Sequence, residues 1–98
     1  MSTFFKAEDT VVIKGRGLVL FGTIVEGIVK VGMFLNIESF PRQLIIDGLE
    51  WPISSPRIPG LIGLLFLSTD QQEIDLWKSI DIKDKVFEVH ALSNNLNK

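Results

Sequence analysis

Glycine recurs through the stretch Ile13 to Leu35, IKGRGLVLFGTIVEGIVKVGMFL, at positions 15, 17, 22, 27 and 32, and the last four are five residues apart. Glycine at such intervals serves either a ligand that must approach the backbone or a backbone that must turn. A dinucleotide fingerprint counted from Gly15 and Gly17 puts Leu20 where its third glycine belongs, and a strand continues where a helix should open. A phosphate loop counted from Gly17 and Gly22 meets Thr23 and Ile24 instead of lysine and a hydroxyl residue. No helix N-terminus follows to hold a phosphate. The glycines therefore serve the backbone. Gly15 and Gly17 turn the chain between two strands, Gly22 relieves crowding or makes a bulge, and Gly27 and Gly32 occupy tight turns that favour positive φ.

The remaining pattern is mostly β. Val11 to Ile13, Leu18 to Val25, Phe34 to Glu38, Gln43 to Glu50, Leu61 to Leu67 and Val86 to Leu92 are short apolar segments, partly β-branched or aromatic, bounded by Gly, Pro, Asp or Asn. Six short strands at turn spacing predict a small barrel or sandwich. In TDQQEIDLWKSI, Asp70 offers an N-cap with Glu73 three residues on, and Ile74 and Trp77 follow at helical spacing, so Gln71 to Ser79 is predicted as a short helix or helical turn. WPISSPRIPG marks a stiff loop from Pro52 to Gly60. Residues 93–98 form a frayed tail. Ninety-eight residues make one domain, 1–98. The longest uncharged apolar run, GLIGLLFL, is far short of the roughly 20 residues a membrane span needs, and a cytoplasmic protein without membrane contact is expected. With no cysteine, disulfides, thiolate metal sites and cysteine nucleophiles are excluded. A net charge of −2 builds in no long-range attraction to phosphate backbones.

The segment AEDTVVIKGRGLVLFGTIVEGIVKVGMFLNI resembles the opening half of domain 2 of elongation factor Tu-like translational GTPases, the β-barrel that follows their GTPase domain. Glu8, Asp9, Ile13, Gly15, Arg16, Gly17, Val19, Gly22, Ile24, Gly27, Val29, Gly32, Leu35 and Ile37 stand at the spacing of that family's pattern. DGLEW is similar to its T-G-V-E-M strand, PGLIGLLF to A-G-x-x-V-G-L-L-L and KDKVF to R-G-x-V-L, so the resemblance runs from about Ala7 to Glu88. It implies an all-β fold, a small closed antiparallel Greek-key β-barrel of six or seven strands over about residues 7–92; after Leu67 the chain departs from the family, and the short helical segment at about 70–80 near the C-terminus stands as an insertion. Closure would leave no open sheet edges. It also places Asp47 and Gly48 inside a strand, with Gly48 at a bulge or close backbone contact, where Asp-Gly alone would suggest a hairpin turn.

The resemblance further implies a stand-alone domain without the GTPase domain, so neither nucleotide binding nor GTP hydrolysis is expected. In elongation factor Tu this barrel helps hold the aminoacylated 3′ end of tRNA. Val11, Ile13 and Glu50 match that site in kind, but Ile53 replaces its arginine, and the asparagine turn is shortened by one residue and carries Leu61. About half of the polar groups that orient RNA are thus absent.

No catalytic constellation emerges. His90, the single histidine, lies in an alternating terminal strand and reads as a surface or edge residue. Asp70, Glu73, Asp75, Asp81 and Asp84 alternate with Lys78, Lys83 and Lys85 as on a solvated face, without calcium-loop spacing. No cofactor, metal or catalytic residue is expected, and the chain reads as a non-catalytic binding module. The candidate contact residues are Val11, Ile13, Lys14, Arg16, Glu50, Trp51 and Trp77. Lys14 and Arg16 also suit an exposed hairpin tip, and Trp77 also suits a plug at one open end of the barrel. Two partner classes follow. RNA or a ribonucleoprotein would need a basic surface centred on Lys14, Arg16, Lys30, Arg42 and Arg57. A protein partner or self-association would need an apolar patch near Trp51, Trp77 or Phe66.

Overall fold

Strand β1 (Thr3–Ile13) and strand β2 (Gly17–Glu26) form a long antiparallel hairpin in the computed structural model, which describes residues 2–51 and 60–91. The turn between them closes with the Arg16 N–H donating to the Ile13 carbonyl at 2.9 Å, and Gly15 takes φ 81° there. Gly27 and Gly32 also lie at positive φ, as their turn positions require. Gly22 has a different reason. A Cβ at that position would overlap the Lys6 carbonyl oxygen and stand 2.7 Å from the Phe5 ring. The β1–β2 register shifts between Ala7 and Asp9, opposite Gly22 and Phe21, so close approach and bulge occur together.

Strands β3 (Phe34–Leu35), β4 (Leu44–Ile45), β5 (Gly48–Glu50), β6 (Ile62–Leu67) and β7 (Val86–Val89) follow, with helix α1 (Gln71–Ser79) between β6 and β7. All strand pairs are antiparallel. Five strands form one sheet in the order β5-β6-β2-β1-β7, and β3 pairs with β4 in a second. The closed barrel expected from the sequence is not found among the described residues. Among the described residues the two sheets are joined by one bridge, in which Phe34 and His90 exchange backbone hydrogen bonds of 2.8 and 2.7 Å. On the other side they are joined by the chain itself through Ile46 and Asp47. Closure stops short because the expected strand Phe34 to Glu38 ends at Leu35. A turn then follows in which the Phe40 N–H donates to the Ile37 carbonyl at 2.8 Å, so that Ile37 and Phe40 enter the core.

The expected strand Gln43 to Glu50 is divided for a related reason. The Ile46 N–H bonds to Met33 beside β3, whereas the Asp47 N–H bonds to Leu65 on β6, so the segment changes partner between these two residues. Asp47-Gly48 is thus no hairpin turn. Nor is Gly48 a close contact, since a Cβ there would sit 3.5 Å from Leu65 Cδ2, an ordinary distance. At the N-terminus β1 starts at Thr3, well before the expected Val11, because Phe5 and Ala7 supply buried inward positions and β7 pairs with Thr3 to Lys6. The stiff loop expected over Pro52 to Gly60 and the tail 93–98 lie outside the described residues apart from Gly60.

The core lies between the inner sheet faces, where Phe5, Leu18, Leu20, Ile62, Leu64 and Phe66 meet Leu35, Leu44 and Ile46. Helix α1 occupies the span expected of it. Asp70 caps its N-terminus, accepting from the Gln72 N–H at 2.8 Å and the Glu73 N–H at 3.4 Å. Glu73 does not complete a capping box. It turns to Arg42 in a two-pronged ion pair of 2.8 and 2.9 Å and accepts from the Ser68 hydroxyl at 2.7 Å. Trp77 is fully buried. Its ring lies edge-on to Phe40 and Phe66 at 5.8 and 5.9 Å, and its Nε1–H donates to the Val19 carbonyl at 3.2 Å. The helix thereby packs one end of the core, and Lys83 ties the segment after it to Glu8 at 3.5 Å, beyond the last β1 residue paired with β7.

Candidate functional site

Strand alternation sends one set of side chains from β5, β6, β2 and β1 into the core and the other set outward. Residues opposite one another in the register share a face, and this defines three rows across the outer surface. Ile13, Gly17 and Leu67 form the row nearest the β1–β2 turn. Val11, Val19, Leu65 and Gly48 form the middle row, and Asp9, Phe21, Gly63 and Glu50 the third. Gly63 marks the point of convergence. A Cβ there would meet the Phe21 ring at 2.8 Å, Val19 Cγ1 at 2.9 Å and Glu50 Cβ at 3.1 Å. Six large apolar residues thus occupy an outer face on which only Asp9 and Glu50 carry charge. Val19 and Leu65 are buried although they do not belong to the main core, while Leu67 is 55% exposed and Val11 36%.

Arg16 crosses this face. It stands at the turn end and its guanidinium binds Glu50 on β5 at 2.9 Å, so the ion pair spans the rows diagonally. The aliphatic stem of an arginine placed this way covers apolar neighbours while its head stays wet. Trp51 follows Glu50 and is 67% exposed. The structure therefore brings Val11, Ile13, Arg16 and Glu50 to one face, with Trp51 at its border. It separates the other two candidates. Lys14 lines a cavity against α1, and Trp77 is sealed in the core with no surface for a partner.

The basic surface that RNA contact would need does not assemble among the described residues. Arg16 is paired with Glu50 and Arg42 with Glu73, Lys30 lies in the β2–β3 connection, and Arg57 is outside the described residues. The Arg42–Glu73 pair is structural. Hydrogen bonding to the guanidinium holds the Glu73 carboxyl below the usual carboxylate range against the opposing effect of burial, with further help from Ser68. The same bond raises Arg42, whose Nη2 also donates to the Leu67 carbonyl at 3.0 Å. His90 is half-exposed, stacked on Phe34 at 5.2 Å and 4.0 Å from the Glu88 carboxylate. Among the described residues no three His, Cys, Asp or Glu side chains are grouped to hold a metal ion, and no helix is long and apolar enough to cross a membrane.

The apolar patch expected near Trp51, Trp77 or Phe66 is displaced, since Phe66 and Trp77 are interior. Sequence reasoning missed Val19, Phe21, Leu65 and Leu67 as members of the outer face. Their signal was present, because GLVLF and IGLLFL are apolar at consecutive positions, which makes both faces of β2 and β6 apolar. No protein-family model matches the chain, and no solved structure matches it.

Proposed function

We propose that the chain is a non-catalytic binding module, kin to the domain 2 barrel of translational GTPases, whose outer β5-β6-β2-β1 face is given over to polypeptide contact with a second copy of itself. The observation that carries this reading is the apolar grid built around the buried Val19 and Leu65, which offers Val11 and Leu67 exposed and Ile13 and Phe21 half-buried, without a surrounding excess of positive charge. Desolvated apolar faces of this kind suit protein interfaces, whereas affinity for RNA draws on unpaired cations. A copy of the chain is the occupant proposed because the face is self-complementary: a two-fold axis lying in it lays the exposed Val11 and Leu67 of one copy against the apolar rows of the other, with no net charge of one sign to oppose the contact.

RNA contact is the second reading, and one observation favours it: Val11, Ile13 and Glu50, the positions that match the tRNA-end site in kind, share this face. Sedimentation velocity across a concentration series, together with gel shifts against an aminoacylated tRNA 3′ end, separates the two. The expected result is a reversible dimer that persists at high salt, is lost in Leu67→Glu and Val11→Glu, and gives no shift with RNA. A monomer at every concentration overturns the second-copy reading. A shift at physiological salt that Glu50→Ala abolishes replaces it with the RNA reading.

A further inference from the structure

Cavities bordered by described residues differ in charge. The one between α1 and the segment Glu38 to Arg42 carries Glu38, Asp70 and Glu73 beside Arg42. Those around Asp81 add Glu38 in one case and Glu8 with Asp9 in the other. A cavity of about 580 Å³ between the β1–β2 turn and α1 is unlike them. Lys14 and Lys78 line it, no carboxylate does, and Val12, Ile13 and Ile74 supply an apolar wall, with Thr69 and Gln71 on the polar side.

Lys14 and Lys78 form no ion pair among the described residues, whereas Lys6, Arg16, Arg42 and Lys83 each hold a carboxylate. Two ammonium groups bordering one cavity repel each other, and an anion between them turns that repulsion into two attractions. The volume falls within the roughly 300–1,000 Å³ range of small-molecule sites. The backbone carrying both lysines is fixed, because the hairpin turn positions Lys14 and the packed helix, anchored by Trp77, positions Lys78, while their exposed side chains are free to close on an anion.

We propose that this cavity binds a small amphipathic anion, its charged head between Lys14 and Lys78 and its short aliphatic body on Val12, Ile13 and Ile74. A lysine is a point charge that accepts carboxylate and phosphate alike, so the shared chemistry is an anionic head on an apolar stem. This site borders the outer face and shares Ile13 with it, but its charged head group contacts do not depend on association there.

Backbone amide chemical-shift titrations with octanoate, octyl phosphate, octanol and inorganic phosphate test the assignment. At least one of the two amphipathic anions is expected to saturate shifts at Val12 to Gly17 and Gln71 to Lys78, and the tighter of them identifies the head group. Octanol, Lys14→Met and Lys78→Met are each expected to weaken binding about tenfold, equivalent to about 1.4 kcal/mol. Lys14→Arg and Lys78→Arg keep the charge and are expected to retain binding. The assignment is overturned if octanol binds as tightly as the anions, or if inorganic phosphate matches octyl phosphate. It also fails if the shifts map to Val19, Phe21 and Leu65 instead, or if no probe gives a saturable shift.

Discussion

Trp77→Ala is expected to be the most damaging single substitution in α1. The side chain has no exposed surface, lies edge-on to Phe40 and Phe66, and donates its one polar hydrogen to the Val19 carbonyl. Truncating a core tryptophan costs about 3–5 kcal/mol, against a total stability of about 5–15 kcal/mol for a typical domain. A nine-residue helix is marginal alone, so the loss also loosens α1, leaving Ile74, Leu76 and the Arg42–Glu73 pair to hold it. In a domain of this size the substitution should lower the melting temperature by about 12 °C or more, at about 4–8 °C per kcal/mol. Trp77→Phe keeps most of the ring burial and removes the donor, with an expected cost of about 1–2 kcal/mol. Urea melts of wild type and both variants at two protein concentrations provide the measurement. Self-association makes each midpoint depend on concentration, but the difference caused by Trp77→Ala should be the same at both, because the contact is within one chain. An unchanged midpoint, or a loss seen only at the higher concentration, refutes the packing argument.

Gly22→Ala should destabilise the chain by about 2 kcal/mol or more, because the new methyl overlaps the Lys6 carbonyl and crowds the Phe5 ring against close-packed backbone. A thermal melt indistinguishable from wild type would contradict this. Glu73→Gln should cost about 1 kcal/mol at neutral pH, since the pair is partly solvent-screened. The folded-state pKa of Glu73 lies below its unfolded value, so its stabilisation is present above the unfolded pKa and is lost as pH falls through the folded one. The wild type and Glu73→Gln should therefore converge in melting temperature on acidification, and an equal gap at neutral and strongly acidic pH would show that the ion pair is not its source.

Features set by neighbouring residues are legible in the chain alone. The glycine spacing locates the β1–β2 turn and the crowded Gly22. Asp70 and the Ile74 and Trp77 spacing locate α1 at its observed span. These signals are local, because a turn or a capped helix depends on the residues within it. The division of Gln43 to Glu50 is not legible, since no property of Ile46 or Asp47 says that one bonds beside β3 and the other to β6. Closure into a barrel would likewise depend on pairings between distant segments, and among the described residues those between the two sheets amount to one bridge at Phe34 and His90. The candidate surface divides in the same way. Val11, Ile13, Arg16 and Glu50 are identifiable as residues, but Arg16 and Glu50 are 34 positions apart and only the β5-β6-β2 register brings them together. Lys14 and Lys78 read as unrelated surface charges until the helix packs beside the turn. Where the chain turns, where it coils and which strands are apolar on both sides are all written in short stretches of residues. Which apolar side faces the core is settled only by the assembled sheets, because that choice belongs to the register of paired strands and not to any one of them.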